Sequence, residues 1–294
     1  MQADRTKGAL VEHDEPPERG GPTPVTIIER SAPPARLRDL KADPAWNDWR
    51  WQMRNRIRTL PDLLKLFPQL PGQSRAQKVA ARYPMAITPY YASLIRRPDA
   101  TDPVFQMSVP QEDELYDPPF LHADPLNEEN DMPVPGLIHR YTDRALIMAT
   151  TTCAMYCRHC TRKRVAGTEE HAMSAAQLRQ IVDYLTAHPR ITDVIVSGGD
   201  PLTLPLDALE AILAAVRGVK TVEIIRIGTR APVVIPQRIT GELAGMLRKH
   251  HPLWVNTHFN HPVELTPEAA LACERLVDAG IPTGNQTVLL RGVN

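Results

Sequence analysis

Three cysteines fall within eight residues of this chain, at Cys153, Cys157 and Cys160, and only one other cysteine, Cys273, is present. Three thiolates on one short loop can bind three irons of a cubane iron–sulfur cluster. Most such clusters have four cysteine ligands, so the fourth iron would stay open to another molecule. An open metal position is typical of a catalytic site, as it is for zinc.

A zinc site is the alternative for the same loop, with His159 as a fourth ligand beside the three thiolates. His159 lies between two of the cysteines, which makes a tetrahedral arrangement cramped. Cys273 lies in a predicted helix, and we interpret it as a small packing residue rather than a ligand. The residues that flank the cysteines are needed to decide between the two metals.

The spacing C-x3-C-x2-C is the signature of the radical S-adenosylmethionine (radical SAM) enzymes. The run from Cys153 to Arg164 closely resembles the cluster loop of the lysine 2,3-aminomutase family. Six further segments resemble motifs of this family in the family's order, and the resemblance covers residues 35–294. This match favours the iron–sulfur cluster over zinc. The six segments are Trp46–Trp51, Met85–Tyr91, Pro133–Tyr141, Ser197–Asp200, Asn256–His261 and Asn285–Gln286.

The resemblance implies an α/β fold, a partial (β/α)6 TIM-like barrel of the radical SAM type. It also implies three cofactors: a 4Fe–4S cluster on the thiolates, S-adenosyl-L-methionine at the open iron, and pyridoxal 5′-phosphate. The implied reaction moves the amino group of L-lysine from Cα to Cβ through a 5′-deoxyadenosyl radical and a pyridoxal phosphate aldimine. In such enzymes the cofactors carry the radical chemistry, and the protein positions them and excludes water.

Several residues near predicted strand ends resemble S-adenosylmethionine contacts of the family. After the second predicted strand, two glycines let the backbone approach a ligand, and consecutive N–H groups can form an anion nest. The resemblance implies that this segment holds the methionine amino group, and that His258 and Gln286 add further contacts. A strand histidine is otherwise a hydrogen-bonded structural residue. The segment consists of Ser197, Gly198, Gly199 and Asp200.

Four residues near the cysteine loop resemble contacts to anionic groups. Arg140, Tyr141 and Arg144 precede the first predicted strand, and the resemblance implies that they hold pyridoxal phosphate. Arg162 matches the arginine that pairs with the substrate carboxylate in the family. Arginine suits both tasks because its guanidinium donates two hydrogen bonds at once. The alternative for the run 162–164 is a solvated basic turn, which remains a fair account of Lys163.

The composition divides the chain into three parts. Residues 1–25 are rich in proline, glycine and charge, which predicts a disordered tail. Residues 26–136 form a helical extension with one predicted helix at 44–67, followed by an irregular, proline-rich arm at 98–136. Residues 137–294 form the partial barrel. Trp46 and Trp49 fall on one apolar stripe of the predicted helix, so we interpret them as packing residues.

Alternating apolar runs and helical patterns from residue 144 onward predict βα units around a parallel sheet. Predicted helices begin after Ser174 and Thr266, and others cover Leu206–Val216 and Gly241–Lys249. Ligands bind at the carboxyl edge of such sheets, where most of the candidate residues fall. Five of the six barrel strands can be identified. They are Ala145–Ala149, Val194–Val196, Val222–Ile227, Leu253–Phe259 and Thr287–Leu290.

Charge and apolar content exclude several function classes. The 34 basic residues balance the 34 acidic ones, which gives no electrostatic basis for binding nucleic acid or a membrane surface. No apolar run is long enough to span a bilayer, and the N-terminus lacks a secretory signal. Unpaired, clustered thiols predict the cytoplasm. The resemblance implies a small amino acid as substrate and homo-oligomers among the full-length relatives.

The resemblance also implies residues that this sequence lacks. Family members continue past the fifth strand with a sixth strand, a lysine in a glycine-rich run that binds pyridoxal phosphate, and two aspartates that recognise the substrate. We therefore expect a C-terminally truncated fragment that binds the cluster but is inactive as an aminomutase alone. Glutamate 2,3-aminomutase and the relatives that modify a lysine of elongation factor P are alternative enzymes. A non-catalytic remnant that binds a metal or a partner is the alternative from another class.

Overall fold

The computed structural model describes residues 35–70 and 72–294, so the predicted tail at 1–25 lies outside the described residues. Within this part of the chain, short helices precede the sheet. Two short 3-10 helices, Pro44–Asn47 and Glu112–Leu115, lie among them. The α-helices are α1 (Ala35–Lys41), α2 (Trp49–Arg54), α3 (Leu60–Leu66), α4 (Gln73–Arg82), α5 (Pro89–Ala92) and α6 (Pro103–Ser108).

The single helix predicted over 44–67 is wrong, because capping side chains divide this segment into three pieces. The Asp48 side chain accepts from the Arg50 amide and starts α2, and Thr59 accepts from the Asp62 amide and starts α3. Between them, Ile57 pairs with Ile87 as an isolated bridge. Such caps satisfy amides that a helix start leaves without partners. The packing role of Trp46 is confirmed, since it is buried against other aromatic and aliphatic side chains.

A mixed sheet of six strands forms the second part of the chain. Strand β1 pairs antiparallel with β2, and β2 to β6 are all parallel neighbours in chain order. This open parallel sheet with helices in its crossovers confirms the predicted partial barrel. The strands are β1 (Leu137–Tyr141), β2 (Arg144–Thr150), β3 (Asp193–Gly198), β4 (Ile224–Gly228), β5 (Leu253–Thr257) and β6 (Thr283–Asn285).

The connecting helices confirm most of the predicted starts. Ser174 forms a capping box with Gln177 at the start of α7, and Thr266 accepts from the Ala269 amide at the start of α11. Gly280 follows α11 with a φ of 79°, as expected for a glycine just after a helix. The helices are α7 (Ala175–Ala187), α8 (Leu206–Arg217), α9 (Ala231–Val234), α10 (Gly241–Arg248) and α11 (Pro267–Asp278).

Two strand predictions need correction. The last strand is Thr283–Asn285 rather than Thr287–Leu290, because the chain joins β5 directly after the short turn at Gly280. The apolar run at 287–290 lies beyond the ladder, and Leu289 is largely exposed. Strand β1 was not predicted, and it forms a hairpin with β2 before the parallel strands begin.

The two faces of the sheet differ in the size and polarity of their side chains. One face, here called the outer face, carries Ala145, Val194, Ile225 and Leu253, all buried in the core with residues of α7 and α8. Each fully buried aliphatic side chain contributes about 1.5–3 kcal/mol. The opposite, inner face carries small or polar residues near the carboxyl ends of the strands, which leaves space there. They are Ser197, Gly228, Asn256 and Gly284.

No helix among the described residues is both long and apolar enough to cross a membrane.

Matched glycine variants test the packing of β3 against β2. A methyl group at Gly198 would come within 2.7 Å of the Thr150 carbonyl oxygen, and the φ of Gly198 is 103°. We expect Gly198→Ala to destabilise the chain by at least about 1–3 kcal/mol. The new methyl group would clash with the β2 backbone, and alanine is strained at this positive φ. Gly245 lies in α10 with open space around it, so Gly245→Ala is expected to stabilise by about 1 kcal/mol. Urea unfolding of both variants measures the difference, and equal effects would contradict this account.

Candidate active site at the carboxyl edge of the sheet

The three clustered cysteines lie in a loop that leaves the carboxyl end of β2. No regular element interrupts this cysteine loop, residues 151–173, before α7 begins. It is fixed instead by hydrogen bonds to the helical first part of the chain. The Tyr156 amide donates to the Ala86 carbonyl, and the Arg158 amide donates to the Met107 carbonyl. The helical extension therefore holds the cysteines at the edge of the sheet.

Two ion pairs with little exposure strengthen this attachment. Arg158 donates to both carboxylate oxygens of Glu114, at 2.9 and 2.7 Å. Arg56 donates to Glu170 and, at 2.6 Å, to the carbonyl oxygen of Cys153 itself. Burial alone would raise the pKa of Glu114, but its hydrogen bonds to Arg158 hold the pKa below its usual value. Sequence reasoning missed these residues, because isolated charges in three separate segments carry no pattern.

The environment of the thiols favours metal binding over free thiolates. Burial, followed by the charges of Asp200 and the other two cysteines, raises the pKa of Cys153 well above its usual value. Burial also raises the pKa of Cys160 to about 11. Thiols in such a site stay protonated unless a cation replaces the proton. All four cysteines in the described residues are free, so the donor set of three thiols suits an iron–sulfur cluster.

His159, the fourth ligand of the zinc alternative, is largely buried beside the cysteines. Burial lowers its pKa to about 3, so the imidazole is neutral, and its Nδ1 atom has no hydrogen-bond partner. In the part of the chain that the structure describes, no three His, Cys, Asp or Glu side chains converge on one ion position. In a cubane cluster each thiolate binds a separate iron, so the three sulfurs face one cluster rather than one ion.

The segment Ser197–Asp200 lies beside the cysteine loop at the end of β3, but its amides do not form the predicted anion nest. The Gly199 amide donates to the Thr150 carbonyl at 2.6 Å, and the Asp200 amide donates to Thr152 at 2.8 Å. These donors are therefore occupied. A methyl group on Gly199 would also clash with the Thr152 carbonyl. The contact of this segment with the cofactor amino group stays a prediction, and carbonyl oxygens are the acceptors that an amino group needs.

The Asp200 carboxylate connects the loops after β3 and β4. It accepts from the Thr229 hydroxyl at 2.6 Å and from the amides of Arg230 and Leu202 at 2.9 and 3.1 Å. Burial raises the pKa of Asp200, although these hydrogen bonds act against the shift. The Asp200 side chain thus holds the loops after β3 and β4 together at the carboxyl edge of the sheet.

His258 and Gln286 follow β5 and β6 at the same edge. Burial lowers the pKa of His258, so its ring is neutral near pH 7. The Gln286 amide donates to the Thr257 carbonyl at 2.8 Å and extends the ladder beyond β6. The carbonyl of His258 accepts from Arg230, whose guanidinium also contacts Cys157. Arg230 carried no motif signal, and sequence reasoning missed it.

Arg162 lies next to the cysteines, and its guanidinium is already paired. It donates to both carboxylate oxygens of Glu128 in the arm, at 2.9 and 2.6 Å. The Arg162 amide donates to the Cys160 sulfur at 3.3 Å. Lys163 is not a solvated turn residue, since its ammonium group bonds to Glu114 at 2.7 Å and lies over the Tyr83 ring.

Arg140, Tyr141 and Arg144 lie at the opposite edge of the sheet from the cysteines. Tyr141 is opposite Arg144 in the β1–β2 hairpin, at the amino end of β2. The structure therefore brings Arg162 and the S-adenosylmethionine candidates to the same edge as the thiols. It places Arg140, Tyr141 and Arg144 away from that edge. Arg144 pairs with Asp193 at 2.7 Å, and Arg226 donates to the same carboxylate. Their contact with pyridoxal phosphate stays a prediction.

Comparison with known proteins adds independent findings. The family model of the Radical SAM superfamily matches residues 147–294. The chain is 51% identical over 255 residues to L-lysine 2,3-aminomutase of Clostridium subterminale. The matched region covers 86% of the chain and 61% of the relative. It is also 51% identical over 250 residues to L-lysine 2,3-aminomutase of Acetoanaerobium sticklandii. This match covers 85% of the chain and 60% of the relative.

Glutamate 2,3-aminomutase of Clostridioides difficile is 44% identical over 250 residues, covering 85% of this chain and 59% of the relative. The chain thus spans about 60% of the length of these curated relatives. Radical SAM proteins use a 4Fe–4S cluster and S-adenosylmethionine, in agreement with the loop of three thiols. The chain belongs to the lysine 2,3-aminomutase family within the radical SAM superfamily.

Proposed function

We propose that this protein takes part in a radical 1,2-amino migration on an amino acid, with L-lysine as the substrate. The observation that carries this proposal is the loop of three free thiols at the carboxyl edge of β2, within reach of the loops that follow the next strands. The 51% identity to L-lysine 2,3-aminomutases, against 44% to a glutamate enzyme, supports lysine. Free cysteines throughout the described residues support a reducing cytoplasm.

Cys153, Cys157 and Cys160 hold the cluster in this proposal. When bound, the cluster and S-adenosylmethionine supply the electron and the carbon radical that the reaction needs. The chain contributes a shielded, rigid position for both. Arg56 and Arg158 fix the backbone of the cysteine segment, and the three cysteines are only partly exposed to solvent. Exclusion of water protects a reactive species from side reactions.

The contacts to S-adenosylmethionine are assigned to Ser197–Asp200, His258 and Gln286. The close approach of Gly198 and Gly199 to the β2 backbone supports this assignment, because it keeps the edge free of side chains. A neutral His258 can accept or donate one hydrogen bond without adding charge. Asp200 acts indirectly here, since its carboxylate is occupied by Thr229 and Arg230.

Arg162 is assigned to the substrate carboxylate, and Glu128 stands where that carboxylate would bind. The bidentate Arg162–Glu128 pair has the geometry of an arginine–carboxylate contact to an amino acid. Binding of the substrate therefore requires displacement of Glu128. The predicted irregular arm at 98–136 in fact contains α6 and a 3-10 helix, and Glu128 lies after both, in the segment that leads into β1. This exchange makes the arm part of substrate recognition.

The phosphate of pyridoxal 5′-phosphate is assigned to Arg140, Tyr141 and Arg144. Arg144 and Arg226 share the carboxylate of Asp193, so two guanidinium groups lie beside one carboxylate at this position. Guanidinium groups suit an anionic ligand. When bound, pyridoxal phosphate supplies an electron-delocalising ring for the migrating amino group.

Cysteine variants test the cluster assignment. We expect Cys157→Ser to lose most of the bound iron after anaerobic reconstitution, since a serine oxygen is a poor ligand for a soft iron–sulfur centre. The matched variant Cys273→Ser removes a thiol from α11 and is expected to keep the iron of the parent chain. Iron content and the visible absorption of the cluster are measured. Stoichiometric zinc in the parent chain without iron would contradict the assignment.

Substrate choice is tested with L-lysine and L-glutamate, supplied with S-adenosylmethionine, pyridoxal phosphate and dithionite. We expect 5′-deoxyadenosine formation to be stimulated by L-lysine and not by L-glutamate. In Arg162→Lys the L-lysine concentration for half-maximal stimulation is expected to rise about tenfold, because lysine cannot replace a bidentate contact. Stimulation by L-glutamate alone would support the glutamate enzyme.

A further inference from the structure

Arg230 is a buried arginine in direct contact with the proposed cluster loop. It follows β4 and begins α9, and its amide is fixed by the Asp200 carboxylate at 2.9 Å. Its residue surface is only 8% exposed. A buried guanidinium needs partners for its charge and its donors, because arginine stays protonated in proteins. The partners of Arg230 show what it is held against.

The guanidinium of Arg230 points one donor at a cysteine sulfur. Nη1 donates to the Cys157 sulfur at 3.1 Å, and Nη2 donates to Glu264 at 2.5 Å and to the Tyr91 hydroxyl at 3.1 Å. Nε donates to the His258 carbonyl at 3.2 Å. Within the described residues, this is the one side-chain hydrogen bond to a sulfur of the three clustered cysteines.

Glu264 holds Arg230 on the side away from the sulfur. Its side chain is fully buried, and one oxygen also accepts from the Tyr91 hydroxyl at 2.6 Å. The other oxygen accepts from the amides of Asn260 and His261, at 2.7 and 3.1 Å. Every oxygen of this carboxylate therefore has fixed donors. Movement of the Arg230 guanidinium away from this position would break its ion pair with the buried Glu264 carboxylate.

The position of the charge has a consequence for electron transfer. Hydrogen bonds to ligand sulfurs and net charge near a cluster set its reduction potential. Reduction adds one electron and makes the cluster more negative, so a nearby positive charge stabilises the reduced form and raises the midpoint potential. Glu264 is farther from the sulfur than Arg230 and partly offsets this effect.

We propose that Arg230 is a positioning residue that orients the Cys157 thiolate and raises the reduction potential of the cluster, and that Glu264 holds it in place and limits the increase. This inference rests on the cluster assignment of the proposed function, and it adds two residues outside the cysteine motif. The electron comes from an external low-potential one-electron donor. Only the cluster is reduced in this step, and no bond forms or breaks.

The test is an anaerobic redox titration with dithionite, followed by electron paramagnetic resonance of the reconstituted chain. We expect Arg230→Gln to lower the midpoint potential of the cluster and Arg230→Lys to keep it nearer to the parent value. Glu264→Gln is expected to raise it, because the positive charge then lacks its buried counterion. General destabilisation would not shift the potential in opposite directions in the two neutral variants.

Arg217→Gln is the matched control. Arg217 is a partly buried arginine that donates to the carbonyls of Val222, His250 and Pro252, with no contact to the cysteine loop among its hydrogen bonds. Its replacement also removes hydrogen bonds from an arginine to backbone carbonyls, and it is expected to leave the potential unchanged. Unchanged potentials in Arg230→Gln and Glu264→Gln, at full iron content, would overturn the inference.

Loss of the cluster is also informative. If Arg230→Gln loses iron while Arg230→Lys keeps it, the positioning role is supported, because a charged donor at this position is then sufficient. Equal loss from both would overturn it. The titration needs neither substrate nor pyridoxal phosphate, so a failure of amino migration leaves the inference intact. A parent chain that takes up no iron would instead overturn the proposed cluster and the inference together.

Discussion

The attachment of the cysteine loop to the helical extension is the constraint on which the site depends. Residues 151–173 contain no helix or strand, so the loop cannot fix its own shape. The pairs Arg158–Glu114 and Arg56–Glu170 cross between distant segments and fix the backbone around the thiols. Removing one partner of a buried pair typically costs about 3–5 kcal/mol, because the other charge stays without compensation. The helical extension is thus a necessary part of the site, because it holds the cysteine loop in place.

The sheet forms the rest of the site, because its two faces carry side chains of different size and polarity. Aliphatic residues on the outer face are buried with the helices, while small residues on the inner face leave space near the strand ends. Asp200 then joins the loops after β3 and β4, and Arg230 joins the loop after β4 to Cys157, to Glu264 and to Tyr91 of the extension. Burial raises the pKa of Cys153 and Cys160, so that a cation replaces the proton of these thiols when it binds, which couples metal binding to the assembly of these loops.

Sequence patterns predicted the type and order of most elements in the barrel, because periodicity and capping are local. The helix starts after Ser174 and Thr266 were predicted in this way. Predictions failed where a tertiary contact decided the outcome. Pairing of Ile57 with Ile87 separates α2 from α3 within the first predicted helix, and pairing with β5 places the last strand before the apolar run at 287–290.

The sequence alone determined the three thiols, their spacing and the family resemblance, since the three cysteines lie within eight residues of one loop. Only the tertiary structure decided which charges surround them. Glu128 on Arg162 and Glu264 on Arg230 come from segments far away in sequence, and no local pattern links such partners. The tertiary structure also decided that the amides of Gly199 and Asp200 donate to backbone carbonyls, because the end of β3 approaches the end of β2 closely.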